Sequence, residues 1–168
     1  LANKNFKYKI IGVPSHIYDK NIIEKNNFNI QKELIKELKI KKGIKFIGLV
    51  SRPDDNNWCN FIDRNLYLKI IGKFLVSSKN YHLLIKAHPK ELSYTKKQWA
   101  ESLGIKLDSK YFSITNFTSF ELATICEFGF SFVSDCCVDF ACLGKPMLEL
   151  TSQENINYSN SSPFYDQD

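Results

Sequence analysis

A histidine held against a proline, with lysines on both sides, ends an apolar stretch near the middle of the chain. The stretch reads "LLIKAHPKE" and spans residues 83–91, so Lys86, His88, Pro89 and Lys90 stand close together. Because the residue before a proline avoids the helical region, Pro89 keeps His88 extended at the end of a predicted strand. An imidazole N–H there can donate to a phosphate or leaving-group oxygen, and the lysines attract anions. The segment predicts an anion site; the alternative is a histidine on a surface loop.

A second polar cluster lies in "SDCCVDFACLGKP", residues 134–146. A strand is predicted to end at Val133 and a helix to begin directly after it, with Ser134 as the N-cap. Free N–H groups at such a helix start bind anions. Asp135 puts a negative charge at that place, so it either binds sugar hydroxyls or stabilises the helix dipole. A structural role for both residues is the alternative.

Short apolar runs alternate with helical patterns along the chain, and this alternation predicts the elements that must position both clusters. The predicted strands are residues 7–13, 44–50, 81–87, 111–116, 128–134 and 146–150. The predicted helices are residues 29–40, 59–78, 94–104, 118–127 and 136–144. Thr118 and Glu121 form a capping box at the start of one helix. The spacing places Phe61, Leu68, Ile71 and Leu75 on the buried face of another.

Strict alternation of strands and helices predicts a doubly wound, Rossmann-like α/β domain, with a parallel sheet of about six strands and helices on both faces. Ligands bind such sheets beyond the carboxyl ends of the strands. The residues that follow the predicted strands should therefore line one edge: Pro14, Ser15, Ser51, Arg52, His88, Pro89, Asn116, Ser134, Asp135 and Glu149. We assign residues 1–150 to this domain and residues 151–168 to a polar tail that closes over the ligand.

Length and composition indicate one ordinary globular domain of 168 residues, with 43% apolar and 24% charged residues. No apolar run reaches the roughly 18 residues of a membrane span, and the start lacks a signal-peptide core. These features predict a cytoplasmic protein. The chain starts without Met, and we expect it to be a fragment of a longer protein.

The net charge indicates which classes of partner the protein favours, and the cysteine content indicates the state of its thiols. The net charge of +5, with lysines crowded into residues 32–45, favours nucleotides, anionic polymers or a membrane surface; a solvated helix face is the alternative. No aromatic–basic motif of a nucleic-acid reader occurs. The five cysteines do not complete a zinc spacing and are predicted to be reduced and buried. His16 and His82 are predicted to be structural.

Taken together, the two clusters resemble motifs in the carboxyl-terminal, nucleotide-binding half of GT-B glycosyltransferases. The nearest resemblance is to bacterial capsule transferases of the Kdo and polysialyl types and to CDP-glycerol glycerophosphotransferases. Residues 83–91 resemble their HP motif, and residues 134–146 resemble their Ser-Ser-x-x-x-Glu/Asp-Ala-x-x-x-Gly-Lys-Pro pattern. "GVPSHIYD", residues 12–19, is similar to their Gly-x-Pro-x-x-x-x-Asp segment. The resemblance covers about residues 8–150, but Asp135 and Phe140 depart from the pattern.

The resemblance implies a transferase for surface polysaccharide that uses a CMP- or CDP-activated sugar or polyol donor. His88 would stabilise the departing phosphate as the catalytic group, helped by Lys86, while Ser134 also faces the phosphate and Glu149 binds ribose or sugar hydroxyls. Further substrate-binding candidates are Arg52, Pro89, Asn116, Asp135 and Cys136. The polysaccharide acceptor and the catalytic base would belong to an amino-terminal half, which we expect this chain to lack. No cofactor or metal is implied, and no Asp-x-Asp metal motif occurs. Such enzymes are cytoplasmic and can lie at the inner face of the membrane.

Two other functions are compatible with the sequence. Nucleotide-sugar 2-epimerases share the architecture, but they tend to have Ser-Gly-Gly where this chain has Ser134-Asp135-Cys136. The missing glycines let less backbone approach a diphosphate, which argues against an epimerase. A catalytically silent domain that binds a sugar or a protein partner is the second alternative.

Overall fold

The computed structural model describes residues 33–40, 43–55, 57–107 and 110–152, in which strands and helices alternate. The elements, in chain order, are β1 (Lys45–Val50), α1 (Phe61–Ser78), β2 (Tyr81–Lys86), α2 (Lys96–Leu103), β3 (Phe112–Thr115), α3 (Ser119–Ile125), β4 (Gly129–Ser131), α4 (Cys137–Cys142) and β5 (Met147–Glu149). A 3₁₀ turn, Pro89–Glu91, follows β2, and residues 33–37 are helical. Five predicted strands are thus confirmed, and the first, at residues 7–13, lies outside the described residues.

The five strands form one parallel sheet in the order β3-β2-β1-β4-β5. Strands β2 and β3 are added successively on one side of β1, and strands β4 and β5 are added successively on its other side. This order confirms the doubly wound α/β prediction. Because all strands run in one direction, their carboxyl ends lie at the same edge of the sheet, which we call the carboxyl rim. The strand order reverses between β1 and β4, where folds of this type bind ligands.

Helices cover both faces of the sheet, and each face has its own apolar core. Side chains alternate along β1, so Ile47 and Leu49 face one core while Phe46 and Val50 face the other. The first core includes Leu68, Ile71 and Leu75 of α1 and Trp99, Ala100 and Leu103 of α2. The second includes Leu122, Ala123 and Ile125 of α3 and Phe140 of α4, with Leu34, Ile35 and Leu38 packed against it.

The buried face of α1 differs from the prediction at one position. Leu68, Ile71 and Leu75 are buried as expected, but Phe61 is 63% exposed. α1 begins at the carboxyl rim, because it follows the end of β1, and its first residue therefore projects past the packed core. Arg64 is buried instead, in register with the three apolar residues.

No helix in the described ranges is both long and apolar enough to cross a membrane. The cysteines, all of which lie in described segments, form no disulfide. Cys59 and Cys126 are buried as predicted, whereas Cys136 and Cys137 are half-buried and Cys142 is exposed. Burial raises the pKa of the Cys59 thiol to about 11, so this thiol stays protonated and unreactive at neutral pH.

α4 approaches the sheet closely because two strand residues opposite it are glycines. A methyl group on Gly129 would stand 2.8 Å from Phe140 Cε1, and one on Gly48 would stand 3.1 Å from Phe140 Cζ. Gly48 and Gly129 are paired neighbours on β1 and β4, so they form one flat patch beneath the ring. This patch accommodates the Phe140 ring, which stands at the position of the alanine in the motif that residues 134–146 resemble.

α1 and α2 also touch through a glycine, and this contact generates a stability prediction. A methyl group on Gly72 would stand 1.9 Å from the Leu103 carbonyl oxygen. Gly72→Ala should therefore lower the free energy of unfolding by at least about 2 kcal/mol, despite the higher helix propensity of alanine. Chemical denaturation measures this, with the exposed neighbour Lys73→Ala as the control. Equal stability of the two variants would contradict the close packing of α1 on α2.

His82 is a structural histidine, buried to 2% exposure on β2. Its Nδ1 lies 2.8 Å from the Lys110 carbonyl oxygen, and its Nε2 lies 3.0 Å from Ser113 Oγ. Because a carbonyl only accepts, Nδ1 carries the proton and Nε2 accepts from the serine. Burial, opposed by the Lys110 hydrogen bond, lowers the pKa of His82 to about 4.

This lowered pKa predicts a loss of stability in acid. Between pH 6.5 and 4, His82 binds a proton in the unfolded chain but stays neutral in the folded protein. Its contribution to the free energy of unfolding is therefore complete above pH 6.5 and is lost as the pH falls to about 4. The wild type should lose about 3 kcal/mol relative to His82→Asn over this window. Urea denaturation of both proteins at several pH values measures the difference. A constant difference would show that His82 is not buried in neutral form.

Candidate functional site

The sheet places the predicted site residues along the carboxyl rim in spatial order. Asn116 follows β3, His88 follows β2, Arg52 follows β1, Ser134 follows β4, and Glu149 ends β5. The other predicted residues lie beside these: Lys86 and Pro89 next to His88, and Asp135 and Cys136 next to Ser134. β2 and β4 are two strand spacings apart, about 10 Å. Pro14 and Ser15 lie outside the described residues.

His88 is held at the end of β2 by a short turn that it caps. Its backbone is extended, with φ −67° and ψ 151°, as Pro89 predicts. The Lys90 N–H donates to His88 Nδ1 at 3.1 Å, and the His88 N–H donates to Glu91 Oε2 at 3.2 Å. Since Nδ1 accepts, the neutral ring carries its proton on Nε2. The turn therefore gives His88 one defined donor, the Nε2–H group.

A buried ion pair stands behind this turn. Arg64 Nη2 lies 2.5 Å from Glu91 Oε1, and the two residues are 4% and 1% exposed. Arg64 Nε also donates to the Arg52 carbonyl oxygen at 2.8 Å, and Nη2 donates to Ser51 Oγ at 3.3 Å. One guanidinium thus links the loop after β1 to the turn after β2.

The loops after β1 and β4 meet where the strand order reverses. Arg52 Nη1 donates to the Val133 carbonyl oxygen at 2.9 Å, and its guanidinium lies 5.6 Å from the centre of the Trp58 ring. Val133 has a φ of 44°, a left-handed conformation that is strained for a β-branched residue. Backbone strain of this kind concentrates at functional sites.

The structure corrects the predicted start of α4. β4 ends at Ser131 and α4 begins at Cys137, so Ser134 is not an N-cap. Ser134 instead stabilises the turn before the helix, where its Oγ accepts from the Cys136 N–H at 3.3 Å and its carbonyl accepts from the Cys137 N–H at 3.1 Å. The helix starts later than predicted because the residues after the strained Val133 form a turn instead of the first residues of α4. The Cys136 and Cys137 N–H groups are thus engaged within the turn, and anion binding at Ser134 stays a prediction.

Acidic side chains gather on the β5 side of the rim. Burial and then the nearby Asp135 raise the pKa of the half-buried Glu149 carboxyl. Burial, followed by Glu149 and Asp135, also raises the pKa of the Cys137 thiol. Ser131 is paired with Glu149 in the sheet, and its buried Oγ has no hydrogen-bond partner among the described residues.

The rim is therefore electrostatically divided. Lys86, His88, Lys90 and Arg52 provide donors at the ends of β2 and β1, whereas the acceptors Asp135 and Glu149 lie at β4 and β5. A ligand with an anionic group at one end and hydroxyl groups at the other matches this division. Asn116 follows β3, an edge strand of the sheet that the described residues form, and is exposed, one strand beyond the basic end.

The first two residues of the predicted tail bond to the loop after β1. The Ser152 N–H and the Thr151 hydroxyl donate to the Trp58 carbonyl at 3.0 and 2.6 Å, and Ser152 Oγ accepts from the Asn60 N–H at 2.9 Å. Tyr67 OH donates to the Thr151 carbonyl at 2.8 Å. The chain after β5 thus passes the end of β4 to reach α1. Residues 153–168 lie outside the described part, so closure of the tail stays a prediction.

Sequence reasoning missed Arg64 and Glu91. The signals were an arginine in register with the apolar stripe Leu68, Ile71 and Leu75, and a glutamate three residues after His88, as in a capping box. Among the described residues, no three His, Cys, Asp or Glu side chains are grouped to hold a metal ion. Neither the family models nor the curated protein sequences searched match the chain.

The strain at Val133 generates a prediction. Glycine adopts a φ of 44° freely, so Val133→Gly should keep or raise the free energy of unfolding, by up to about 1 kcal/mol. Val138→Gly, a matched change within α4, should instead lower it by about 1 kcal/mol. Chemical denaturation compares the two. Equal losses would show that Val133 is not strained.

Proposed function

We propose that this domain binds the donor nucleotide of a bacterial glycosyltransferase or polyol-phosphate transferase that builds surface polysaccharide. The observation that carries the proposal is the divided rim at the reversal of strand order, with His88 and Arg52 on its basic side and Asp135 and Glu149 on its acidic side. A CMP- or CDP-activated donor has the complementary chemistry, since its phosphates are anionic and its ribose and sugar carry hydroxyls.

His88 and Lys86 serve the phosphate end in this proposal. The Nε2–H of His88 donates to a phosphate oxygen, and the Lys86 ammonium adds positive charge at the end of the same strand. Negative charge grows on the phosphate as the donor bond breaks, so donors fixed beforehand stabilise the departing nucleotide. This chemistry is electrostatic, and no metal or cofactor is assigned to it.

Asp135 and Glu149 serve the hydroxyl end. Carboxylate oxygens accept hydrogen bonds from ribose or sugar hydroxyls. Ser134 and Cys136 line the turn between the two ends. The polysaccharide acceptor and the catalytic base are assigned to an amino-terminal half, and the enzyme would work in the cytoplasm at the inner face of the membrane.

The alternatives predict different ligands. An epimerase would prefer a UDP-sugar, and its diphosphate would need close approach to the backbone where Asp135 and Cys136 carry side chains. A silent domain would bind no nucleotide. Calorimetric titration with CMP, CDP, UDP and GDP separates the three functions.

The role of His88 can be tested with two substitutions. His88→Ala removes the ring, whereas His88→Asn keeps an acceptor for the Lys90 N–H and so preserves the turn. Neither variant has the Nε2–H donor, so both should lose roughly 1.5–3 kcal/mol of CMP and CDP affinity. His82→Asn, a change at the buried histidine away from the rim, is the control and should bind normally. Wild-type affinity in both His88 variants would remove His88 from the site.

A further inference from the structure

We infer that Arg64 and Glu91 are positioning residues for His88, and that Arg64 couples His88 to Arg52 across the carboxyl rim. This inference deepens the proposed function, on which it rests. Neither residue is placed to contact a ligand, because both are almost completely buried. They act through the groups that they hold.

The coupling follows one continuous set of hydrogen bonds. The His88 N–H binds Glu91, Glu91 binds Arg64, and Arg64 binds the Arg52 carbonyl. Arg52 then donates to the Val133 carbonyl on the other side of the strand reversal. The ends of β2, β1 and β4 are thus fixed relative to one another by side chains behind the rim.

Glu91 is suited to this role because it uses both oxygens. Oε1 receives Arg64, and Oε2 receives the His88 N–H. The Glu91 N–H closes the 3₁₀ turn on the His88 carbonyl oxygen at 2.8 Å, and the second side-chain bond completes the capping box of this turn, which places the Lys90 N–H on His88 Nδ1. The Glu91 carboxylate therefore braces the turn that fixes which ring nitrogen of His88 carries the proton, while its own hydrogen bonds go to Arg64 and the His88 N–H.

Fold stability alone does not account for a buried ion pair. Replacing such a pair with apolar residues of similar volume is often neutral or stabilising, whereas removing one partner is strongly destabilising. Two aromatic rings already lie beside Arg64, with the centres of the Trp99 and Phe132 rings 5.9 and 5.5 Å from its guanidinium carbon. What apolar side chains cannot supply is the fixed geometry at His88 and Arg52.

This distinction gives the test variants. Arg64→Met/Glu91→Leu replaces the pair with apolar side chains and should stay folded. Glu91→Asp keeps the charge but is one methylene too short to reach both Arg64 and the His88 N–H, so it provides a second, conservative variant. Leu75→Ala, a cavity in the first core at the far end of α1, is the control for general destabilisation.

Three readouts are compared at a pH where His88 is neutral. ¹⁵N spectra of the imidazoles report which nitrogen of His88 is protonated, amide exchange reports the Lys90 N–H, and calorimetry reports CDP affinity. We expect mixed tautomers, faster Lys90 exchange and about tenfold weaker CDP binding in both pair variants. Leu75→Ala should keep the wild-type tautomer and Lys90 exchange.

A wild-type His88 tautomer and wild-type Lys90 exchange in both pair variants would overturn the inference. The two spectroscopic readouts need no ligand, so they decide it even if the wild-type protein binds no CDP, a result that would count against the proposed function alone. If tautomer and exchange change but CDP affinity does not, the positioning role is supported and the placement of the phosphate at His88 fails.

Discussion

The buried pair of Arg64 and Glu91 is the constraint on which the rim depends. A charge enclosed by Trp99 and Phe132 must be neutralised and fully hydrogen-bonded, or the folded state would be strongly destabilised. The partners that satisfy it are the carbonyl of Arg52, the hydroxyl of Ser51 and the carboxylate of Glu91. Satisfying one buried cation therefore fixes two loops at neighbouring strand ends.

The reversal of strand order determines what those loops can do together. β1 and β4 are adjacent in the sheet although they are far apart in the chain, so the loop after β4 lies against Arg52. The carbonyl of the strained Val133 accepts a hydrogen bond from that arginine, and α4 begins only at Cys137. Phe140, seated over Gly48 and Gly129, holds α4 close to the sheet behind the turn. Packing and hydrogen bonding thus shape the same crevice.

Local rules predicted several parts of the site correctly because the responsible atoms are close in sequence. Pro89 acts on the residue beside it, so the extended backbone of His88 could be expected. The capping box of Thr118 and Glu121 also forms as predicted, since both partners lie in one turn. Ser134 shows the limit of such rules. Its side chain suits an N-cap, but the conformation at Val133, which Arg52 bonds from another strand, moves the helix start to Cys137.

The sequence by itself determined the alternation of strands and helices, the parallel sheet and the edge on which His88, Arg52, Asn116, Ser134 and Glu149 lie. Hydrophobic periodicity predicts each strand and helix from neighbouring residues, and the alternation of strands with helices implies that the strands are parallel. Only the tertiary structure decided that Arg64 is buried with Glu91, that Asp135 lies near Glu149 and that Phe140 fits against two glycines. These contacts join residues brought together by the strand order, and their energies depend on burial, which no local pattern specifies.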